Sequence, residues 1–202
     1  MMKLTIPNQL TILRILLTPI FLYYFIRESA DSILIGTVIF IVAAATDWYD
    51  GYIARKFNII TRWGQFMDPL ADKILVSSAL VAFACLNYLH WWMVITIVLR
   101  DFIITFLRMY ALHHGKSIVT SQMAKWKTFL QMSAVLVLLF YLNFAAAEIH
   151  HLAIYPPGYS NWVTILYLVV TVLTVFSGLQ YLVENRSHVY ELGRRTVKIF
   201  YR

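Results

Sequence analysis

The 202-residue chain is 60% hydrophobic and only 13% charged, far below the roughly 25% of a soluble globular domain, which excludes a water-soluble fold. Its formal net charge of +7 does not call for nucleic acid, because a basic membrane face beside anionic lipid accounts for it. The single cysteine, Cys85, excludes an intramolecular disulfide and a multi-cysteine metal site.

A bilayer core of about 30 Å needs roughly 20 mostly apolar helical residues to cross it. Six stretches qualify: Leu10–Ile26, Ile33–Trp48, Leu70–Leu89, Trp91–Ala111, Phe129–Ala147 and Trp162–Val183. The first resembles a signal peptide in position, but Arg14 interrupts it and no small-residue cleavage site follows, so it is expected to stay as a helix with Asn8 as its N-cap. The second ends in a cluster of acids, and the third opens on another around Pro69, a residue suited to a first helical turn with Asp68 near the cap. Trp91-Trp92 and Trp162 open the fourth and sixth as interfacial anchors, while Tyr155-Pro156-Pro157-Gly158 is a loop. The runs lack the alternation of an outer-membrane barrel, and open sheets leave backbone groups unsatisfied in hydrocarbon. The expected fold is all-α, a polytopic membrane bundle of six transmembrane helices forming one domain over residues 1–202, with no repeat or linker.

Arg27 is alone in the connection after the first helix, and those after the third and fifth contain no Lys or Arg. Lys3, Arg55, Lys56, Arg62, Lys116, Lys125 and Lys127, and the basic residues after the sixth helix, fall on the opposite side. By the positive-inside rule both termini are expected to be cytoplasmic.

The chemistry concentrates in Asp47-Trp-Tyr-Asp50-Gly51-Tyr-Ile-Ala54-Arg55 and Gly64-Gln-Phe-Met-Asp68-Pro-Leu-Ala-Asp72-Lys73. An ionised Asp at the centre of a membrane helix costs about 2.5–3.5 kcal/mol, so four of them are functional by default. At 100° per residue Asp47, Gly51 and Ala54 fall within about 60° on one helical face, and Asp68 and Asp72 share another. The small residues let a bulky ligand approach the backbone. Four carboxylates in one pocket must be protonated, paired with cations such as Arg55, Arg62 and Lys73, or bound to metal. An all-oxygen, cysteine-free set suits Mg²⁺ or Mn²⁺ and is large enough for two ions.

The pattern D-x-x-D-G-x-x-A-R followed by G-x-x-x-D-x-x-x-D, filled by Asp47, Asp50, Gly51, Ala54, Arg55, Gly64, Asp68 and Asp72, resembles the full signature of the CDP-alcohol phosphatidyltransferases. The resemblance implies a six-helix, usually dimeric enzyme of the bacterial inner membrane with a cytoplasm-facing polar cavity. It assigns Asp47, Asp50, Asp68 and Asp72 to the metal, and Asp47, Asp50, Gly51, Ala54, Arg55, Gly64 and Asp68 to CDP-diacylglycerol, with Asp72 also the general base. The same acids could serve a non-enzymatic ion transporter, but such a protein has no need of the interleaved small residues.

Pro7-Asn8-x-Leu10-Thr11-x-x-Arg14, Arg100-Asp101 with Arg108, and Lys125-x-Lys127-Thr128-x-x-Gln131-Met132 are similar to the family's phosphatidylglycerophosphate synthase branch, which implies glycerol 3-phosphate as acceptor. Inositol phosphate, serine or phosphatidylglycerol would keep the carboxylates and change the cationic pocket. Arg108, Lys125 and Lys127 are expected to bind the acceptor phosphate, a role guanidinium and ammonium groups suit. Lys73 is expected to anchor at the cytoplasmic rim. Arg100 and Asp101 point about 100° apart and are expected to find partners on other helices. His113 and His114 are expected to stay outside the site.

Overall fold

The computed structural model describes residues 6–57, 62–113, 122–148 and 162–186. Six α-helices and no strand occur among them: α1 (Ile6–Phe25), α2 (Ala30–Lys56), α3 (Arg62–Cys85), α4 (Trp91–His113), α5 (Gln122–Glu148) and α6 (Trp162–Glu184). Ser29 caps α2 through a capping box with Ser32, and Glu28 and Asn87 take positive φ in the turns before α2 and after α3. Both turns tie off orphan helix-end groups.

Three helix starts differ from the sequence expectation. Asn8 lies inside α1 rather than capping it, since the helix begins at Ile6. α3 begins at Arg62, so Pro69 sits inside the helix and removes the N–H that would bond to the Gln65 carbonyl. α5 begins at Gln122, which makes Lys125 and Lys127 helical. Hydropathy marks where a helix enters lipid, and these helices continue beyond that level into polar turns.

α1 packs on α2 and α3, α4 on α3 and α6, and α5 on α6 and α2. An aromatic cluster pins the first three at one end: Phe21 and Phe25, Phe21 and Phe40, and Phe25 and Phe83 each have ring centroids 5.4 Å apart. Such tilted pairs add about 0.5–1.5 kcal/mol beyond their buried area. The Asn143 amide donates to Thr37 Oγ1 at 2.7 Å, joining α5 to α2.

The surface is inverted relative to a soluble protein. On α4, Ile95, Leu99, Ile103 and Phe106 form a helical stripe and are each at least 50% exposed, whereas Asp101 on the same helix is 2% exposed. On α1, Leu16 is 58% exposed while Arg14 is fully buried. Apolar outside and ionisable inside is the arrangement that hydrocarbon solvent demands. By length and composition three helices among the described residues, α2, α5 and α6, could each cross a membrane; α3 and α4 carry several charged residues along their length.

Candidate active site

The bundle carries a half-open cavity of about 800 Å³, within the range of small-molecule sites. Asp47 from α2 and Asp68 and Asp72 from α3 line it together, so the two acidic clusters, distant in sequence, converge. Lys73, Arg100, Arg108 and Lys125 line the same cavity. Charges of both signs therefore meet in the wall: α2 and α3 supply Asp47, Asp68, Asp72 and Lys73, α4 supplies Arg100, Arg108 and Asp101, and α5 supplies Lys125.

Each of two carboxylates is held by α1. The Arg14 guanidinium lies 2.8 Å from Asp47 Oδ1 through Nη1, and the Thr11 hydroxyl donates to Asp68 Oδ1. Arg14 and Thr11 are both 0% exposed; a buried guanidinium costs several kcal/mol unless an anion offsets it, and Asp47 is that anion. Gly64 is buried in the first turn of α3. Asp50, Gly51, Ala54 and Arg55 lie on α2, and their side chains fall outside the described residues, as do His113 and His114.

The donor chemistry fits a divalent cation. Asp47, Asp68 and Asp72 are hard oxygen donors on one cavity, and neither Asp47 Oδ2 nor Asp68 Oδ2 has a protein partner among the described residues. Among the described residues no group of three His, Cys, Asp or Glu side chains is close enough together to hold a metal ion, and the side chain of the fourth motif acid, Asp50, lies outside them.

The cationic half departs from the sequence expectation at three residues. Lys127 does not line the cavity: it is 1% exposed, and its ammonium donates to Asp101 Oδ1. Starting α5 at Gln122 turns Lys127 inward while Lys125, two residues away, reaches the cavity wall. Lys73 is not a rim anchor; it is 15% exposed and sits 3.7 Å from Asp72 Oδ2 and 3.8 Å from Asp101 Oδ2. Arg100 and Asp101 do meet, at 3.1 Å, because a long guanidinium bridges the angle between adjacent positions. As expected, both also reach other helices, Asp101 to α3 and α5 and Arg100 Nη2 to Ser177 Oγ of α6 at 2.9 Å. Arg108 and Lys125 line the cavity and have no ion-pair partner among the described residues.

Sequence reasoning left Arg14, Thr11, Lys73 and Arg100 out of the site. The signal was present on α1, where Asn8, Thr11, Arg14 and Thr18 repeat at helical spacing and are all buried; a polar stripe on an otherwise apolar membrane helix needs an internal partner.

Comparison with known proteins agrees with this geometry. Residues 4–176 match the family described as CDP-alcohol phosphatidyltransferase. A CDP-diacylglycerol–glycerol-3-phosphate 3-phosphatidyltransferase of Bacillus subtilis (strain 168) is 37% identical over 198 residues, covering 89% of this chain and 94% of the relative. Proteins of the same name from Salmonella paratyphi A and Escherichia coli (strain K12) are each 36% identical over 199 residues, covering 94% of this chain and all of the relative. With most of its length matched and its acidic motifs gathered on one cavity, the chain belongs to the CDP-alcohol phosphatidyltransferase family.

Proposed function

We propose that the chain transfers the phosphatidyl group of CDP-diacylglycerol to glycerol 3-phosphate, releasing CMP and forming phosphatidylglycerophosphate. The observation that carries this reading is one cavity lined both by the motif carboxylates Asp47, Asp68 and Asp72 and by Arg108 and Lys125, cations without an ion-pair partner among the described residues. The relatives named for this reaction support the choice of acceptor.

In this reading the C1 hydroxyl of glycerol 3-phosphate attacks the diacylglycerol-bearing phosphorus, and the P–O bond to CMP breaks with its electron pair leaving on CMP. Asp72, on the cavity wall, takes the hydroxyl proton. Arg108 and Lys125 hold the acceptor's phosphate, a job the free inositol or serine acceptors would not require. Lys127, committed to Asp101, is replaced in that role by the two residues that face the cavity. Asp47, Asp50, Asp68 and Asp72 would hold Mg²⁺ or Mn²⁺, two ions given four carboxylates, which when bound supply positive charge against the phosphoryl and leaving-group oxygens. Gly51, Ala54, Arg55 and Gly64 would line the nucleotide.

All six helices cross the bacterial inner membrane in this account, with both termini and the cavity on the cytoplasmic side and the enzyme a homodimer. The inward polar and outward apolar faces of α1 and α4 support membrane burial of these two helices as well. The test is CMP release by purified protein from CDP-diacylglycerol with glycerol 3-phosphate, inositol phosphate, serine or phosphatidylglycerol as acceptor. Glycerol 3-phosphate should be preferred by at least tenfold; equal use of serine would remove the role of the cationic wall.

A further inference from the structure

The polar stripe on α1 has partners that define a job. Thr11 and Arg14 are three residues apart, so their side chains leave the helix about 60° from each other and about 4.5 Å apart along its axis. From that one face Arg14 reaches α2 and Thr11 reaches α3, each ending on a cavity carboxylate. Both contacts fall on Oδ1, of Asp47 and of Asp68 respectively, and leave Oδ2 of each without a protein partner among the described residues. A carboxylate tethered through one oxygen presents the other in a fixed direction. That is how the hydrogen-bond partners of metal ligands orient them, with losses of about 10–100-fold in metal affinity or activity when they are removed.

We propose that Thr11 and Arg14 are positioning residues that aim the Oδ2 atoms of Asp68 and Asp47 at a shared divalent cation, making α1 the template of the metal site. The inference rests on the metal reading of the carboxylates given above. Neither residue touches substrate in this account. Arg14 has a second consequence: its charge balances Asp47 when no cation is bound, so α1 keeps like-charged acids together in the metal-free protein. Replacing α1 by an apolar helix would satisfy the lipid and leave two carboxylates free to turn away from the cavity.

The test uses the full chain purified in detergent, with Mn²⁺ as the probe and the free Mn²⁺ electron paramagnetic resonance signal as the readout, so that binding is read apart from turnover. Thr11→Val keeps the shape and removes the hydroxyl; it should weaken Mn²⁺ binding by about 10–100-fold, and Thr11→Ser should restore it. Arg14→Lys keeps the charge beside the ion and loses the directed fork, so a weakening of about tenfold there reports orientation alone. Thermal melting of the metal-free Thr11→Val protein is measured in parallel. A lowered melting temperature with unchanged Mn²⁺ affinity would make Thr11 a packing residue and overturn the inference. No Mn²⁺ binding by the unsubstituted protein would overturn the metal reading, and this inference with it.

Discussion

Asp101 offers the sharpest separation between a structural charge and a substrate ligand. It is 2% exposed and receives three cations: Lys127 directly, Arg100 at 3.1 Å and Lys73 at 3.8 Å. Unit charges at about 4 Å interact by about 4 kcal/mol at an effective dielectric of about 20, so one carboxylate offsets a large mutual repulsion. Asp101→Asn removes the anion that Arg100 and Lys127 share, leaving Lys73 with Asp72 at 3.7 Å, and should destabilise by about 3–5 kcal/mol, the range for orphaning buried charge. Lys127→Met is milder, because Asp101 keeps Arg100 and Lys73 and the desolvation cost of a fully buried ammonium disappears; the loss should not exceed about 1.5–3 kcal/mol, the worth of a hydrogen bond to a charged group. The double variant should be more stable than Asp101→Asn alone, since one orphaned cation has gone, a non-additivity expected of contacting residues. Unfolding in detergent, followed by tryptophan fluorescence, measures all three. The reasoning fails if Lys127→Met costs more than Asp101→Asn, or if it leaves stability unchanged and raises KM for glycerol 3-phosphate tenfold, which would return Lys127 to the acceptor.

Asp47→Asn, Asp50→Asn and Asp68→Asn should each abolish CMP release while the protein still elutes as a folded species, and excess EDTA should silence the unsubstituted enzyme; turnover unaffected by EDTA would contradict the metal reading. A Cβ added at Gly178 would lie 3.2 Å from Arg100 Cγ, so Gly178→Ala needs only a small shift of a flexible side chain and should be tolerated. Gly178→Leu should push Arg100 off Ser177 and cost about 1–3 kcal/mol, as overpacking does; equal melting temperatures for the two variants would show that Arg100 has room to spare.

Helix number, helix order and the shared face of Asp68 and Asp72 were legible in the sequence because they depend on local periodicity and on the cost of charge in lipid. The helix starts of α3 and α5 were not, since the polar turns from Arg62 and from Gln122 give no hydropathy signal. Treating Lys125 and Lys127 alike followed from placing both before the helix; once they are helical, two positions apart means roughly opposite faces. The contacts of Thr11 with Asp68 and of Arg14 with Asp47 span α1 to α3 and α1 to α2, and no spacing rule along one chain reports which helices touch. What the sequence did hold was the anomaly itself, a fully buried arginine in the first apolar stretch, whose partner only packing reveals.

The central claim is that one cavity has a carboxylate half for the nucleotide lipid and a cationic half for the acceptor phosphate, and Arg108→Ala kinetics test it most directly. Arg108 lines the same cavity as the acids, and losing a hydrogen bond to a charged group should cost about 1.5–3 kcal/mol, or roughly a ten- to hundredfold or greater loss in kcat/KM for glycerol 3-phosphate. Arg108→Lys should not fully restore it, because an ammonium cannot make the forked contact with phosphate. The KM for CDP-diacylglycerol should stay within about twofold in both variants, within the scatter of a change worth less than ~0.5 kcal/mol. Unchanged glycerol 3-phosphate kinetics, or an equal loss toward both substrates, would contradict the two-halved cavity.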